Sequence, residues 1–167
     1  TDISESAGIM GNSMGFGLGI AVADINEDGF PDLHVSNDYI EPDYLYINNG
    51  DGTFSESLTE KLQHISYFSM GSDISDVNND GLVDIFTLDM LPEEDIRQKL
   101  LYGPENYEQY ALMVMKGFYH QNMRNMLHIN QGTGLFSEIG QLAGMSNTDW
   151  SWAAFFTDFD NDGWKDL

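Results

Sequence analysis

The chain has 167 residues, of which 28 are Asp or Glu and 6 are Lys or Arg, giving a formal charge of −22. That balance excludes a nucleic-acid partner and disfavours an anionic membrane surface, because both require phosphates neutralised by a basic face. Cysteine is absent, which rules out disulfides and thiolate metal sites, while 41% hydrophobic residues suffice for a folded core.

In chain order, Thr1 opens without a charged and then apolar leader, so a signal peptide is expected to have been removed or to lie upstream. No run approaches the roughly 18 apolar residues of a membrane span. Residues 1–9, TDISESAGI, match EIGQLAGM at 138–145, so the first repeat unit is read as beginning after its own hairpin. Short segments rich in β-branched and aromatic residues follow, AVADI, DLHVS and YLYIN, bounded by Gly, Asn and Asp as strands are. Asn49-Gly50 and Asp51-Gly52 suit a tight hairpin, because both residue types tolerate positive φ. Strand signals return at DIFTLD and MLHIN.

Between them, 91–124 reads as a helical insertion. Pro92 suits a first helical position, Glu93, Glu94 and Asp95 complement a helix N-terminus, and Arg97 and Lys99 follow towards its end. Gly103-Pro104 is a break, and a second helix is expected from Glu105 to Lys116 with Gly117 as its cap. With Arg124, the insertion holds four of the six basic residues, so it is read either as a partner-facing element or as a cap over a sheet edge.

An internal repeat organises these elements. GFGLGIAVADINEDGFPDL, YFSMGSDISDVNNDGLVDI and DWSWAAFFTDFDNDGWKDL align on Asp24, Asp76 and Asp158, each preceded by eight positions by an aromatic, Phe16, Phe68 or Trp150. YLYINNGDGTFSE and MLHINQGTGLFSE interleave with them: Asn48 to Asp76 and Asn130 to Asp158 are both 28 positions. The period is 52, and the second unit carries 30 extra residues. That period lies just beyond the roughly 40–50 residues of propeller blades, so an all-β fold of β-propeller blades is expected: about two full blades plus partial units, an arc rather than a closed ring. One region over 1–167, interrupted by the insertion, accounts for the whole chain.

Each repeat contains an acidic loop: Asp24-Ile-Asn26-Glu-Asp28-Gly29-Phe30-Pro-Asp32, Asp76-Val-Asn78-Asn-Asp80-Gly81-Leu82-Val-Asp84 and Asp158-Phe-Asp160-Asn-Asp162-Gly163-Trp164-Lys-Asp166. Side-chain oxygens at positions 1, 3, 5 and 9, with glycine at 6, suit a hard cation taking six to eight oxygens at about 2.3–2.6 Å. By analogy with the EF-hand loop, the position 7 carbonyls of Phe30, Leu82 and Trp164 join the set. Calcium fits better than magnesium, which demands a strict octahedron, and two to three ions are expected. With neither Cys nor His in the loops, zinc and copper are poor candidates. The EF-hand itself fits worse, since its position 12 Glu falls at Val35 and Thr87. Three calcium ions, each of charge +2, bring the formal charge from −22 to −16.

The aromatic-small pair Phe16-Gly17 together with the DxDxDGxxD-like loops resembles the FG-GAP and VCBS repeats of integrin α-subunit-like β-propellers, and NNGDGTFSE resembles large VCBS-repeat proteins of bacterial surfaces. Ser69 and Ser151 stand where those repeats carry Gly, and Asn26 and Asn78 where many carry Asp. The resemblance implies an extracellular or bacterial outer-surface location and further blades in the parent chain. It implies a calcium-stabilised, non-catalytic module that binds or adheres to a protein or glycan ligand. The alternative is part of a secreted propeller polysaccharide lyase or glycosidase, with two carboxylates drawn from Asp38, Glu41, Asp43, Asp73, Asp89 and Asp149. Gly15, Gly17 and Gly19 lack dinucleotide-loop spacing, so these glycines are expected to allow close strand packing. His34, His64, His120 and His128 are read as structural, Trp150 and Trp152 as core, and Trp164 as an exposed loop residue.

Overall fold

A computed structural model describes residues 1–101 and 107–167. Eight strands form two antiparallel sheets of four. The first consists of β1 (Phe16–Ala23), β2 (Asp32–Asp38), β3 (Tyr44–Asn48) and β4 (Phe54–Glu56), neighbours in chain order. A short helix, α1 (Leu58–Lys61), and the two-residue β5 (Ile65–Ser66) lead into the second, which contains β6 (Gly71–Ser75), β7 (Asp84–Leu88), β9 (Met126–Asn130) and β10 (Phe136–Glu138). Each sheet is a propeller blade. A third unit follows, held by the bridge between Thr157 and Asp166.

Strand periodicity sorts the residues between the two faces of each sheet. Leu45 and Ile47 of the first blade meet Ile74 and Ile85 of the second in one core, closed by Leu58, Leu62 and Ile65. A second core joins Met70, Phe86, Leu88 and Leu127 to Phe156 of the third unit. Seams between consecutive units therefore carry the hydrophobic burial, as repeat architectures require.

Strands β1 and β6 and the segment around Trp152 approach one another where side chains are smallest. A Cβ on Gly19 would stand 3.0 Å from the Gly71 Cα, and one on Gly71 would stand 2.8 Å from the Trp152 carbonyl oxygen. Close packing is thus why glycine occupies these positions. Apolar side chains are left open in the first unit, where Ile20 and Val22 of β1 are exposed, and in the third, where Trp150 and Trp152 are exposed at 54% and 63%. The expectation that both tryptophans lie in a core is corrected, because the extended segment that carries them packs on the second core through Ala154 and Phe156 instead.

The helical segment lies between β7 and β9. It comprises α2 (Asp95–Leu101) and α3 (Tyr107–Met115), and ends in β8 (Gln121–Asn122), which pairs in parallel with β5. Helix α2 starts at Asp95 rather than Pro92, because Pro92 is buried and its carbonyl accepts a hydrogen bond from Gln98 Nε2 at 2.7 Å. The expected break at Gly103-Pro104 and the start at Glu105 lie outside the described residues. Helix α3 does end as expected: Gly117 has φ 87°, its N–H reaches the Val114 carbonyl and the N–H of Phe118 reaches that of Met113. This is the paired closure that a left-handed cap provides.

Candidate metal centre

The three acidic loops fold alike, and their side chains fix the backbone. Asp24, Asp76 and Asp158 each accept the N–H of position 5 on one oxygen, at 3.0–3.2 Å, and that of the glycine at position 6 on the other, at 2.9 Å. Asn26, Asn78 and Asp160 accept the same position 5 N–H, and Asp28, Asp80 and Asp162 accept the N–H of Phe30, Leu82 and Trp164. Oxygens at positions 1, 3 and 5 are thereby gathered in each turn. Two left-handed residues make that turn: position 4 has φ 60°, 59° and 61° at Glu27, Asn79 and Asn161, and the glycine has 89°, 91° and 91°.

Position 9 is different. Asp32 and Asp84 are fully buried, and each ties its loop to a strand: one oxygen accepts the N–H of Ile25 or Val77 in the loop, the other that of Asn48 in β3 or Asn130 in β9. Asp166 likewise accepts the Phe159 N–H. Burial raises the pKa of Asp32 and Asp84; these hydrogen bonds oppose the rise, and the acids at positions 1 and 5 of the same loop add to it. A cation would relieve that mutual repulsion.

The loops differ at position 3. Asn26 and Asn78 donate Nδ2 to the second oxygen of Asp28 and Asp80, at 2.8 and 2.9 Å. Asp160 has no such donor. In that third loop, carboxylate oxygens of Asp158, Asp160 and Asp166 lie within 4.8 Å of one another. Oxygens sharing an ion at about 2.3–2.6 Å lie no more than roughly 5 Å apart, so these three carboxylates are close enough to share one cation. The side chains of Phe30 and Leu82 at position 7 cover the hairpins of their own blades, at Gly50 and Gly132.

Several residues that organise the loops carry no motif. Glu56 accepts the N–H groups of Leu45 and Leu58, and Glu138 those of Leu127 and Gly140, so the repeated FSE segment ties each outer strand to its neighbour. Burial would raise Glu138, yet hydrogen bonds from His64, Gly140 and Arg124 hold it down at about 2. The histidines are structural as expected: His34 Nδ1 meets the Ser72 hydroxyl at 3.0 Å and His128 Nε2 the His64 carbonyl at 3.0 Å. Burial lowers both, to about 3 and about 4.

Each acid considered for catalysis has a structural partner. Asp43 accepts from Asn37 and Ser69, Asp89 from Ser66, Tyr67 and Phe68, and Asp73 from the Phe156 N–H at 2.7 Å. Asp149 pairs with Arg97, Glu41 with Tyr44 and Asn12, and Asp38 accepts the Tyr39 N–H.

Comparison with known proteins agrees with this architecture. Residues 24–87 and 114–167 match the FG-GAP-like repeat. A T-cell immunomodulatory protein homolog of Plasmodium yoelii yoelii is 37% identical over 67 residues, 38% of this chain. The chain matches 9% of that relative's length.

Proposed function

Because the chain belongs to the FG-GAP-like repeat family, we propose that it is a calcium-stabilised, non-catalytic module of an extracellular or outer-surface protein, presenting loops to a protein or glycan ligand. The observation that carries the reading is the common fold of the three loops, with the three carboxylates of the last drawn together. The ligands are the side chains of Asp24, Asn26, Asp28 and Asp32, of Asp76, Asn78, Asp80 and Asp84, and of Asp158, Asp160, Asp162 and Asp166, with the carbonyls of Phe30, Leu82 and Trp164. A bound ion neutralises acids that otherwise repel and stabilises the folded chain by mass action. The engagement of every candidate catalytic acid in structural hydrogen bonds supports the non-catalytic role.

Thermal unfolding in calcium, magnesium or chelator, with calorimetric stoichiometry on the metal-stripped chain, tests the proposal. A calcium-selective rise in Tm with two or three sites is the expected result. Equal curves in all three conditions, with no heat of binding, would overturn it.

We assign 91–124 as an insertion within a single repeat region over 1–167, and as the partner-facing element. Its support is the exposure of Ile96, Leu100, Leu112 and Met115. Its base is tied down: Tyr119 donates to the Leu62 carbonyl at 2.7 Å and Gln121 Nε2 to that of Ile40 at 2.8 Å. Replacing 95–117 by a short Gly/Ser linker keeps those ties; retained folding with lost ligand capture is expected, and unfolding would make the segment a cap.

A further inference from the structure

Two asparagines connect loops that lie far apart in sequence. Asn79, at the left-handed fourth position of the second loop, donates Nδ2 to the Gly163 carbonyl of the third loop at 3.0 Å. Asn130, at the end of β9, donates its backbone N–H to Asp84 of the second loop at 2.9 Å and its Nδ2 to the Ile25 carbonyl of the first at 3.1 Å. The three loops therefore form one hydrogen-bonded row. Their counterparts make no such links: Asn48 turns its amide to the Pro31 carbonyl of its own blade, and Glu27 has no side-chain donor. Asn161, with the same φ as Asn79, makes no side-chain hydrogen bond among the described residues.

We propose that Asn79 and Asn130 are positioning residues that couple the loops, so that a cation held in one raises the affinity of its neighbour; this rests on the calcium reading above. A loop of uncompensated carboxylates must be ordered before it can hold an ion. Once one loop is ordered, the side chain bonded to the next loop's carbonyl restricts that backbone too, and the second ion meets a smaller ordering cost. The effect is reciprocal, since linkage requires each site to change the other by the same factor. Charge acts the other way, because neutralising one loop weakens the field that attracts an ion to the next. That contribution fades in salt, where the Debye length shrinks from about 10 Å at 0.1 M to about 3 Å at 1 M.

Calorimetric titration of the full chain with CaCl2 in 0.15 M and 1 M KCl tests the coupling. The unaltered chain is expected to bind with a Hill coefficient above 1, more so at high salt. Asn79→Gly accepts the left-handed backbone and removes the donor; it should weaken the later binding steps on the order of 5-fold and lower the Hill coefficient. Combining it with Asn130→Ala should bring the coefficient to 1 in 1 M KCl, where the opposing charge effect is screened. Asn161→Gly is the same exchange at the same φ without the bond, and should leave the isotherm unchanged. If Asn79→Gly disturbs the metal-free fold by circular dichroism, Asn79→Asp removes the donor while keeping a residue suited to that φ.

Superimposable isotherms for Asn79→Gly and Asn161→Gly would overturn the coupling and leave the calcium reading standing. Absence of calcium uptake by the unaltered chain would overturn both.

Discussion

Asp43 and Asn125 occupy the same place in successive blades, and so do Asn37 and Asp89, with carboxylate and amide exchanged. The Asn37 N–H donates to Asp43 Oδ1 and the Asp89 N–H to Asn125 Oδ1, both at 2.8 Å. Each blade thus buries one acid at this corner. Burial pushes Asp43 up to about 7 from its ordinary 3.8, against the hydrogen bonds of Asn37 and Ser69. The folded state holds that proton more tightly than the unfolded chain, so Asp43 contributes stability at low pH that is lost as pH rises through about 7. Asp43→Asn, which copies Asn125, should raise Tm at pH 8 and leave it nearly unchanged at pH 4; an equal shift at both would refute this account. His34 and His128 act in the opposite sense. With folded values near 3 and 4, they disfavour folding as pH falls below the ordinary 6.5, and the depressed Glu138 adds a loss between its ordinary 4.5 and about 2. Acid titration followed by near-UV circular dichroism should therefore show tertiary structure loosening below pH 5. The acidic loops were legible in sequence because a cation-type turn needs fixed residue types at fixed spacing. The exchanged corner was not, since each member looks like ordinary drift until its partner is seen.

Among the elements, the first strands of the units show how tightly spacing and residue size are linked. Gly71 faces the Trp152 carbonyl with no room for a methyl group. Gly71→Ala should push the third unit off the second core, expose Phe156 and cost about 1–3 kcal/mol. Chemical denaturation followed by near-UV circular dichroism measures this: a lower midpoint is expected, and an unchanged curve would show that the seam can yield. The strands were readable because they alternate and end in Gly, Asn and Asp, and the glycines because they recur. Helix propensity points to a start at Pro92, three residues before α2 begins, since propensity says nothing of the buried Pro92 carbonyl that Gln98 caps. Trp150 aligns with Phe16 and Phe68 and Trp152 with Leu18 and Met70, which points to a core; alignment fixes a position in the blade but not whether a neighbour covers it. The two seams also differ in chemistry, since His34 and Ser36 of the first blade hold the places of Phe86 and Leu88 in the second. That contrast invites a swap: His34→Phe should blunt the acid sensitivity described above, measured as a smaller loss of Tm between pH 7 and 5.

For the whole molecule, net charge sets the background. At −22 the metal-free chain repels itself, and the loops concentrate that repulsion along one row. Adding 0.5 M KCl without calcium should raise its Tm by several degrees, while calcium at millimolar concentration should do more than its ionic strength allows. Magnesium matching calcium would mean screening alone. The two-blade architecture and the repeat length were evident from register; how the units grip one another was not, because the gripping groups are backbone carbonyls and single amides. That grip has a consequence for dividing the chain. Asp73 of the second blade holds the Phe156 N–H of the third unit, and Asn130 reaches back to the Ile25 carbonyl of the first. The unit of inheritance, a 52-residue repeat, is therefore not the unit of stability. An array shortened by one repeat would keep its motifs and lose its fastenings on both sides of the cut, so truncations that fold should end just after the first strand and acidic loop of a following repeat, as a zip is parted between teeth only by leaving one row unmatched.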